Sequence, residues 1–194
     1  MLRPIRACLA ISRVVRLVYK LTMRPSISLF PLLTGALLFG CATQPKWKCP
    51  GVTSPDQTLH ACVLTVGKHP PPLNESNIEI RDVNNQVLGS NDFSSSDGEH
   101  GRNVQKNEWT ADSQFFVFST ASSGGHSPWH WQTYFYDRRT KTFKEVDDFT
   151  GPIIKRDFTL SSPDWIEVTV QGTKSDPSDI NTGHKVKRRL SRLH

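Results

Sequence analysis

Hydrophobic residues after residue 41 occur in short β-prone runs, and polar turn residues separate these runs. The runs Leu59–Val66, 114–119 and Trp165–Val170 each follow a turn that contains an aspartate. Residues 115–118 (Phe-Phe-Val-Phe) are apolar at successive positions, which is typical of a central strand buried on both faces. No sustained helical period is found downstream of residue 41. The pattern therefore predicts an all-β domain.

The three turns repeat along the chain. They read Ser-Pro-Asp-Gln at 54–57, Trp-Thr-Ala-Asp-Ser at 109–113 and Ser-Ser-Pro-Asp at 161–164, and their aspartates are 56 and 52 positions apart. Proline presets a turn dihedral, and an Asp carboxylate can accept hydrogen bonds from nearby backbone N–H groups. A period of this size predicts repeated structural units.

Two hairpins are predicted between the turns. Segments 77–82 and 132–137 each end in an aspartate, and turn residues follow both. A second β-prone run then begins, at 87 in the first case and at 143 in the second. Strand, tight turn and strand in this order indicate an antiparallel hairpin.

These motifs resemble β-propeller blades of the WD-repeat and related periplasmic kinds over residues 52–170. Such blades carry W-S-P-D-G before an inner strand and an aspartate-led outer hairpin. Here glycine is absent after Asp56, Asp112 and Asp164, and three repeats are fewer than the roughly four to eight blades of a closed propeller. The resemblance implies antiparallel meander sheets forming two to three blades, in an open stack or completed by oligomerisation. A small β-sandwich with only local likeness is the alternative.

The apolar stretch 27–40 ends in a short motif, Leu37-Leu38-Phe39-Gly40-Cys41. The stretch is interrupted by proline and is shorter than the roughly 20 apolar residues that span a bilayer, which suits a cleaved signal. The motif resembles the lipobox of bacterial lipoprotein signal peptides. The resemblance implies cleavage before Cys41, acylation of its sulfur and a lipid-anchored mature chain. An ordinary signal peptide cut nearby is the alternative.

Residues 1–40 form the predicted leader, and Met23 is the favoured true start because Arg24 and the apolar core after it make a complete signal of ordinary size. Residues 41–50 are predicted to be a lipidated tether. Residues 51–194 are predicted to form a single all-β domain with a basic C-terminal tail. The resemblance to lipoproteins of enteric bacteria, with Ala42 rather than Asp after the cysteine, implies an outer-membrane location facing the periplasm.

The net charge of +6 belongs entirely to the leader. Residues 1–40 hold six of the 24 Lys and Arg and none of the 18 Asp and Glu, so residues 41–194 hold eighteen of each sign. Overall basicity therefore gives no reason to expect nucleic-acid binding. The C-terminus remains locally basic, either as a solvated tail or edge strand protected by charge or as a surface attracted to acidic lipid headgroups or lipopolysaccharide. Its cations are Lys185, Lys187, Arg188, Arg189 and Arg192.

Two cysteines remain after Cys41, namely Cys49 and Cys62. A pair this close in an exported chain predicts a disulfide. A zinc site on the two cysteines is the weaker alternative, because no His or Cys flanks them at the spacing of a four-ligand site.

The stretch 122–131 (Ser-Ser-Gly-Gly-His-Ser-Pro-Trp-His-Trp) is predicted to be a loop between two strands. His126 and His130 would ligate a metal only if their rings converged, and Gly-Gly and Pro argue against the helix that would ensure this. Trp129 and Trp131 alternate with His130, so one set is expected to face the core and the other solvent. Tryptophan packing in a hairpin loop is one interpretation; a binding surface of all four residues is the other.

A serine hydrolase would need Ser123 or Ser127 as nucleophile, His126 as base and Asp147 or Asp148 as the orienting acid. The chain has no Gly-x-Ser-x-Gly elbow. The lipobox resemblance implies a bacterial cell-envelope lipoprotein, and from the loop aromatics and the missing catalytic motif we expect its domain to be a non-catalytic binding or assembly module. Its expected partners are the membrane, through Cys41, and an envelope protein; neither a cofactor nor a metal is expected. A metal-dependent or hydrolytic envelope enzyme using the His126–His130 loop is the alternative.

Overall fold

The structure is a computed structural model, and it describes residues 47–67, 74–125, 129–172 and 183–193. All of these belong to one compact unit, Ala42–His194. The predicted leader, Met23, Cys41 and His126 lie outside the described residues. Among the described residues, no helix has the length and apolar character that crossing a bilayer requires.

The described residues form antiparallel strands with two short helical turns. The strands are β1 Gly51–Thr53, β2 Leu59–Val66, β3 Glu75–Asp82, β4 Val87–Asp92, β5 Arg102–Trp109, β6 Phe115–Ser122, β7 Thr133–Asp137, β8 Thr142–Glu145, β9 Thr159–Ser161, β10 Trp165–Val170 and β11 His184–Arg189. The helix α1 spans Asp147–Thr150, and a single 3-10 turn spans Leu190–Arg192.

The strands form three antiparallel sheets. Sheet one has the order β1-β2-β3-β4, sheet two has β5-β6-β7-β8, and sheet three has β11-β10-β9. Sheets one and two are therefore four-stranded meanders, and both predicted hairpins are confirmed as β3–β4 and β7–β8. The all-β prediction of antiparallel meander sheets is confirmed. Within the described ranges none of the sheets closes on itself, and a propeller ring is not formed.

Strand β6 lies between two hydrophobic cores. Phe116 and Phe118 point to a core shared with sheet one, which includes Leu59 and Ile78. The alternate residues of β6 point to a second core, with the apolar residues of sheet three. This second core contains Phe115, Val117, Phe135, Val146, Ile153, Phe158, Ile166, Val168, Val170, Leu190 and Leu193. The prediction of a strand buried on both faces is thus confirmed.

The first two repeat turns have the same hydrogen bonds. In the first, the Ser54 hydroxyl donates to Asp56 Oδ1 over 2.6 Å and accepts from the Leu59 N–H over 3.0 Å. In the second, the Thr110 hydroxyl donates to Asp112 Oδ1 over 2.6 Å and accepts from the next strand's first N–H over 3.0 Å. The residue after each aspartate, where a blade has glycine, has φ 61°. The repeat prediction is confirmed here at atomic detail.

The third turn differs from the other two. Ser162–Pro163 is a cis peptide bond, and the side chain of Asp164 is buried. Asp164 accepts from Arg189 Nε and from the Ser191 N–H, each over 3.0 Å. In the first two turns the aspartate side chain bonds within its own turn, whereas the Asp164 side chain bonds to the C-terminal residues Arg189 and Ser191.

The basic C-terminal residues lie on an edge strand. β11 pairs with β10 on one side and ends the order of sheet three. Lys187 and Arg189 both lie over the Trp165 ring, 5.4 and 5.7 Å from its centroid. The edge-strand interpretation of the basic tail therefore agrees with the structure.

Candidate functional site

The end of the loop between β6 and β7 is partly buried. The Trp131 side chain packs against the core shared with sheet three. The backbone N–H of Trp131 donates to the Ile153 carbonyl over 2.9 Å. Trp129 stacks on the neighbouring His130, with 5.5 Å between ring centroids and 14° between planes. Trp131 therefore belongs to the core side, whereas Trp129 and His130 form a half-buried aromatic pair at the surface.

His130 is held by a carboxylate. Its Nε2 lies 2.8 Å from Asp147 Oδ1, and the side chain of Asp147 is only 8% exposed. The same carboxylate accepts from the Thr133 N–H over 3.0 Å and from the Ile153 N–H over 3.1 Å. Asp147 therefore fixes the imidazole, the start of β7 and the segment that precedes β9.

Three more ionisable groups surround this pair. Arg102 donates to Thr120 Oγ1 over 2.8 Å and reaches the His130 carbonyl over 3.4 Å. Burial, followed by the charges of Asp147 and Asp148, raises the pKa of Glu145. Burial, followed by the charge of Glu145, raises the pKa of Tyr134 well above its ordinary range, although Arg102 opposes this.

The sequence reached this cluster only in part. It included Asp147, but as the partner of His126 in a hydrolase. His126 lies outside the described residues, and the structure pairs Asp147 with His130. Arg102, Tyr134 and Glu145 come from three different strands, so no local motif marks them. Their common feature is that they lie in β-prone strands, which is not specific to a site.

Ser123 does not contact a histidine among the described residues. Its Oγ lies 3.1 Å from Glu75 Oε1 and 3.0 Å from the Gly101 carbonyl oxygen, so its single proton is shared between these two acceptors. Glu75, which is 1% exposed, also accepts from Ser95 and from the Gly101 N–H. Burial opposes the change, but these hydrogen bonds lower the pKa of Glu75. Ser123 is therefore a structural donor, and His126 and Ser127 lie outside the described residues.

Cys49 and Cys62 form the predicted disulfide, with their Cα atoms 5.6 Å apart. Cys62 is fully buried and His60 is nearly so, while Trp47 stacks on the His60 ring at 4.9 Å between centroids. In the part of the chain that the structure describes, the cluster Cys49, His60 and Cys62 is the one group of three or more potential metal ligands that converge. His130 is not part of such a group.

A polar cleft of about 300 Å³ lies between the turns of sheets two and three. The repeat aspartates Asp112 and Asp164 line it, together with Arg139 and Arg189. Asp164 is already bonded to Arg189, so much of the charge is neutralised locally. Among the described residues, the predicted sites Cys49, Cys62, Trp129, His130 and Trp131 do not line this cleft.

No protein-family model matches the chain, and no curated protein matches it. Among solved structures, the chain is similar to a candidate conserved lipoprotein from Clostridium novyi NT. The identity is 15%, the match covers 78% of this chain and 91% of the other, and the TM-score is 0.42.

Proposed function

We propose that the protein is a bacterial cell-envelope lipoprotein with a non-catalytic binding or assembly domain. The observation that carries this proposal is the disulfide between Cys49 and Cys62. Disulfides persist in secreted and periplasmic proteins and are rare in the reducing cytosol. The disulfide begins eight residues after Cys41, so the candidate lipid-bearing cysteine and the oxidised pair belong to the same end of the mature chain.

The anchor is the lipid on Cys41. The lipobox resemblance implies several acyl chains on this residue, and each buried methylene adds about 0.8 kcal/mol to membrane binding. One chain alone gives marginal binding, whereas two or more hold a protein stably. With Ala42 after the cysteine, the proposed location is the outer membrane, facing the periplasm.

The proposed contact surface is centred on Trp129 and His130. The two rings stack, and Asp147 holds His130 through a carboxylate that two backbone N–H groups also fix. A half-buried aromatic residue held in one orientation loses little side-chain entropy on binding, and tryptophan is enriched among the residues that dominate protein interfaces. An envelope protein is the partner that this surface would bind.

Metabolic labelling with palmitate tests the anchor. The wild-type chain should incorporate the label and fractionate with membranes, whereas Cys41→Ser should lose both properties. Equal membrane fractionation of the two chains without labelling would contradict the proposed anchor.

Affinity purification of the lipidated protein after cross-linking in intact cells tests the surface. A partner recovered at fixed stoichiometry with wild type should be lost with Trp129→Ala. Trp165→Ala, which removes another half-buried tryptophan from sheet three, is the matched control and should keep it. Retention of the partner by Trp129→Ala would count against this surface.

An enzyme using the His126–His130 loop is the second candidate, and the His130–Asp147 pair favours it. A carboxylate that orients an imidazole is one part of hydrolytic and metal-dependent sites. Metal analysis of protein purified without chelator distinguishes the two functions. A stoichiometric metal that is lost in His130→Ala would favour the enzyme.

A further inference from the structure

Sheet one brings three metal-ligating side chains together on its outer face. His60 and Cys62 alternate along β2, so their side chains lie on the same face of the sheet. Cys49 lies beside them, just before β1. One ligand atom from each of the three residues lies within 4.8 Å of the other two.

His60 is in a state suited to ligation. Its Nδ1 lies 2.9 Å from Thr53 Oγ1, which orients the ring, while Nε2 is buried and has no hydrogen-bond partner among the described residues. A neutral imidazole oriented through one nitrogen, with the other nitrogen available, is the usual form of a histidine metal ligand.

We propose that the reduced thiols of Cys49 and Cys62 bind a thiophilic divalent cation such as Zn²⁺ together with His60. Two thiolates on a tetrahedral zinc ion lie about 3.8 Å apart, given Zn–S bonds of about 2.3 Å. The Cα separation of 5.6 Å lets a modest opening of the sulfur pair reach that spacing. The disulfide and the metal site are alternative states of one cluster, and a water molecule takes the fourth ligand position.

The change between the two states is a two-electron reduction by a dithiol. A thiolate of the reductant attacks one sulfur of the disulfide and releases the other as a thiol. The second thiol of the reductant then resolves the mixed disulfide, so that the reductant leaves as its own disulfide and both protein thiols are free. Metal binding releases the two thiol protons to solvent.

A cobalt titration tests the proposal on the full chain carrying Cys8→Ser and Cys41→Ser, which leaves only this pair of thiols. The chain is reduced with dithiothreitol, freed of the reductant under anaerobic conditions and titrated with Co²⁺. We expect one Co²⁺ per chain, thiolate-to-cobalt charge-transfer absorption in the near ultraviolet, and displacement by Zn²⁺. The oxidised chain should show no such absorption.

Two histidine variants test whether the metal needs His60 in particular. His60→Asn should weaken cobalt affinity by about tenfold or more, whereas His184→Asn, at an exposed position of β11, is the matched control and should bind as the parent does. Absence of the absorption when two free thiols are measured, or equal affinity in His60→Asn, would overturn the proposal. If reduction unfolds the chain, refolding by Zn²⁺ that depends on His60 supports it, and failure to bind counts against it. The result does not depend on lipidation, because Cys41 is replaced.

Discussion

Sheets one and two share a strand order and a turn motif. They differ in what covers one face of their second strands, β2 and β6. Strands β2 and β6 correspond at an offset of 56 residues. Leu59 corresponds to Phe115 and Ala61 to Val117, and all four face the core toward the following sheet. The residues between them face the other way, and there the two strands differ.

The difference lies in what covers that second face. In β6 it carries Phe116 and Phe118, which pack against sheet one. In β2 the corresponding residues are His60 and Cys62, and among the described residues Trp47 and Cys49 contact them. Among the described residues, this face of sheet one is therefore covered by the Trp47 indole and the Cys49–Cys62 disulfide, whereas the corresponding face of sheet two packs against another sheet.

In sheet three, the face of β10 that points away from sheet two carries polar residues. At the offset of 52, Val168 and Val170 correspond to Phe116 and Phe118, and both face the core with sheet two. Glu167 and Thr169 correspond to the residues that elsewhere face a following sheet, and Glu167 pairs with Lys185. In stacked repeats the terminal units have distinct outer faces. The two end sheets therefore differ from the middle sheet at two strand positions each. These are His60 and Cys62 in β2, and Glu167 and Thr169 in β10.

Truncating an aromatic residue of β6 should have the largest effect on stability. Phe118 is fully buried, so Phe118→Ala should lower the free energy of unfolding by about 3–5 kcal/mol. Urea denaturation followed by fluorescence measures this loss. Thr169→Ala, on the outer face of sheet three, should change stability by less than about 0.5 kcal/mol. Equal losses would mean that the sheets do not differ in burial as described.

Removing the disulfide should cost less and should act mainly on sheet one. Cys49→Ala with Cys62→Ala reopens a loop of 13 residues' separation, worth about 3 kcal/mol on the chain-entropy model. Hydrogen exchange measured by mass spectrometry should show lost protection in β1 and β2 and retained protection in β6. An equal loss of hydrogen-exchange protection in all three sheets would contradict the idea that the disulfide stabilises mainly sheet one.

Neutralising Glu75 should cost about 2 kcal/mol at neutral pH. This buried carboxylate of sheet one accepts hydrogen bonds from Ser95 and Gly101 and also from Ser123, at the end of β6. Glu75→Gln replaces charge-assisted hydrogen bonds with weaker ones and leaves an amide N–H₂ among donors. Urea midpoints of the variant and wild type at pH 7 measure the loss.

The pH dependence of this difference gives a second measurement. Because the folded-state pKa of Glu75 is lowered, its contribution is complete above the ordinary pKa of 4.5 and is lost as pH falls through the folded-state value. The gap between wild type and Glu75→Gln should therefore narrow below about pH 4.5. A gap that stays constant down to pH 3 would mean that the carboxylate is not the stabilising form.

The sequence was informative where a feature depends on neighbouring residues. The run 115–118 predicted a doubly buried strand, and the aspartate turns and hairpins predicted the meanders, because turn chemistry and side-chain alternation are local. The pairing of His130 with Asp147, and of Glu75 with Ser123, joins segments 17 and 48 residues apart. Such pairs depend on how the sheets stack, which no local pattern records. His60 lay outside the predicted sites although it alternates with Cys62, because a single histidine in a strand carries no specific signal.

The smallest expected effect compares the two left-handed turn residues. Gln57 and Ser113 both have φ 61°, a conformation that costs a non-glycine residue about 1 kcal/mol or more. Gln57→Gly removes this backbone cost and should raise the free energy of unfolding by up to about 1 kcal/mol. Ser113 is 2% exposed, and its hydroxyl accepts the Asp56 N–H over 3.0 Å. Ser113→Gly removes that hydrogen bond between the sheets, worth about 1 kcal/mol, so it should not raise the free energy of unfolding.

Thermal denaturation of Gln57→Gly and Ser113→Gly side by side measures the difference. If both were stabilised equally, the hydroxyl of Ser113 would not be joining the first two repeats.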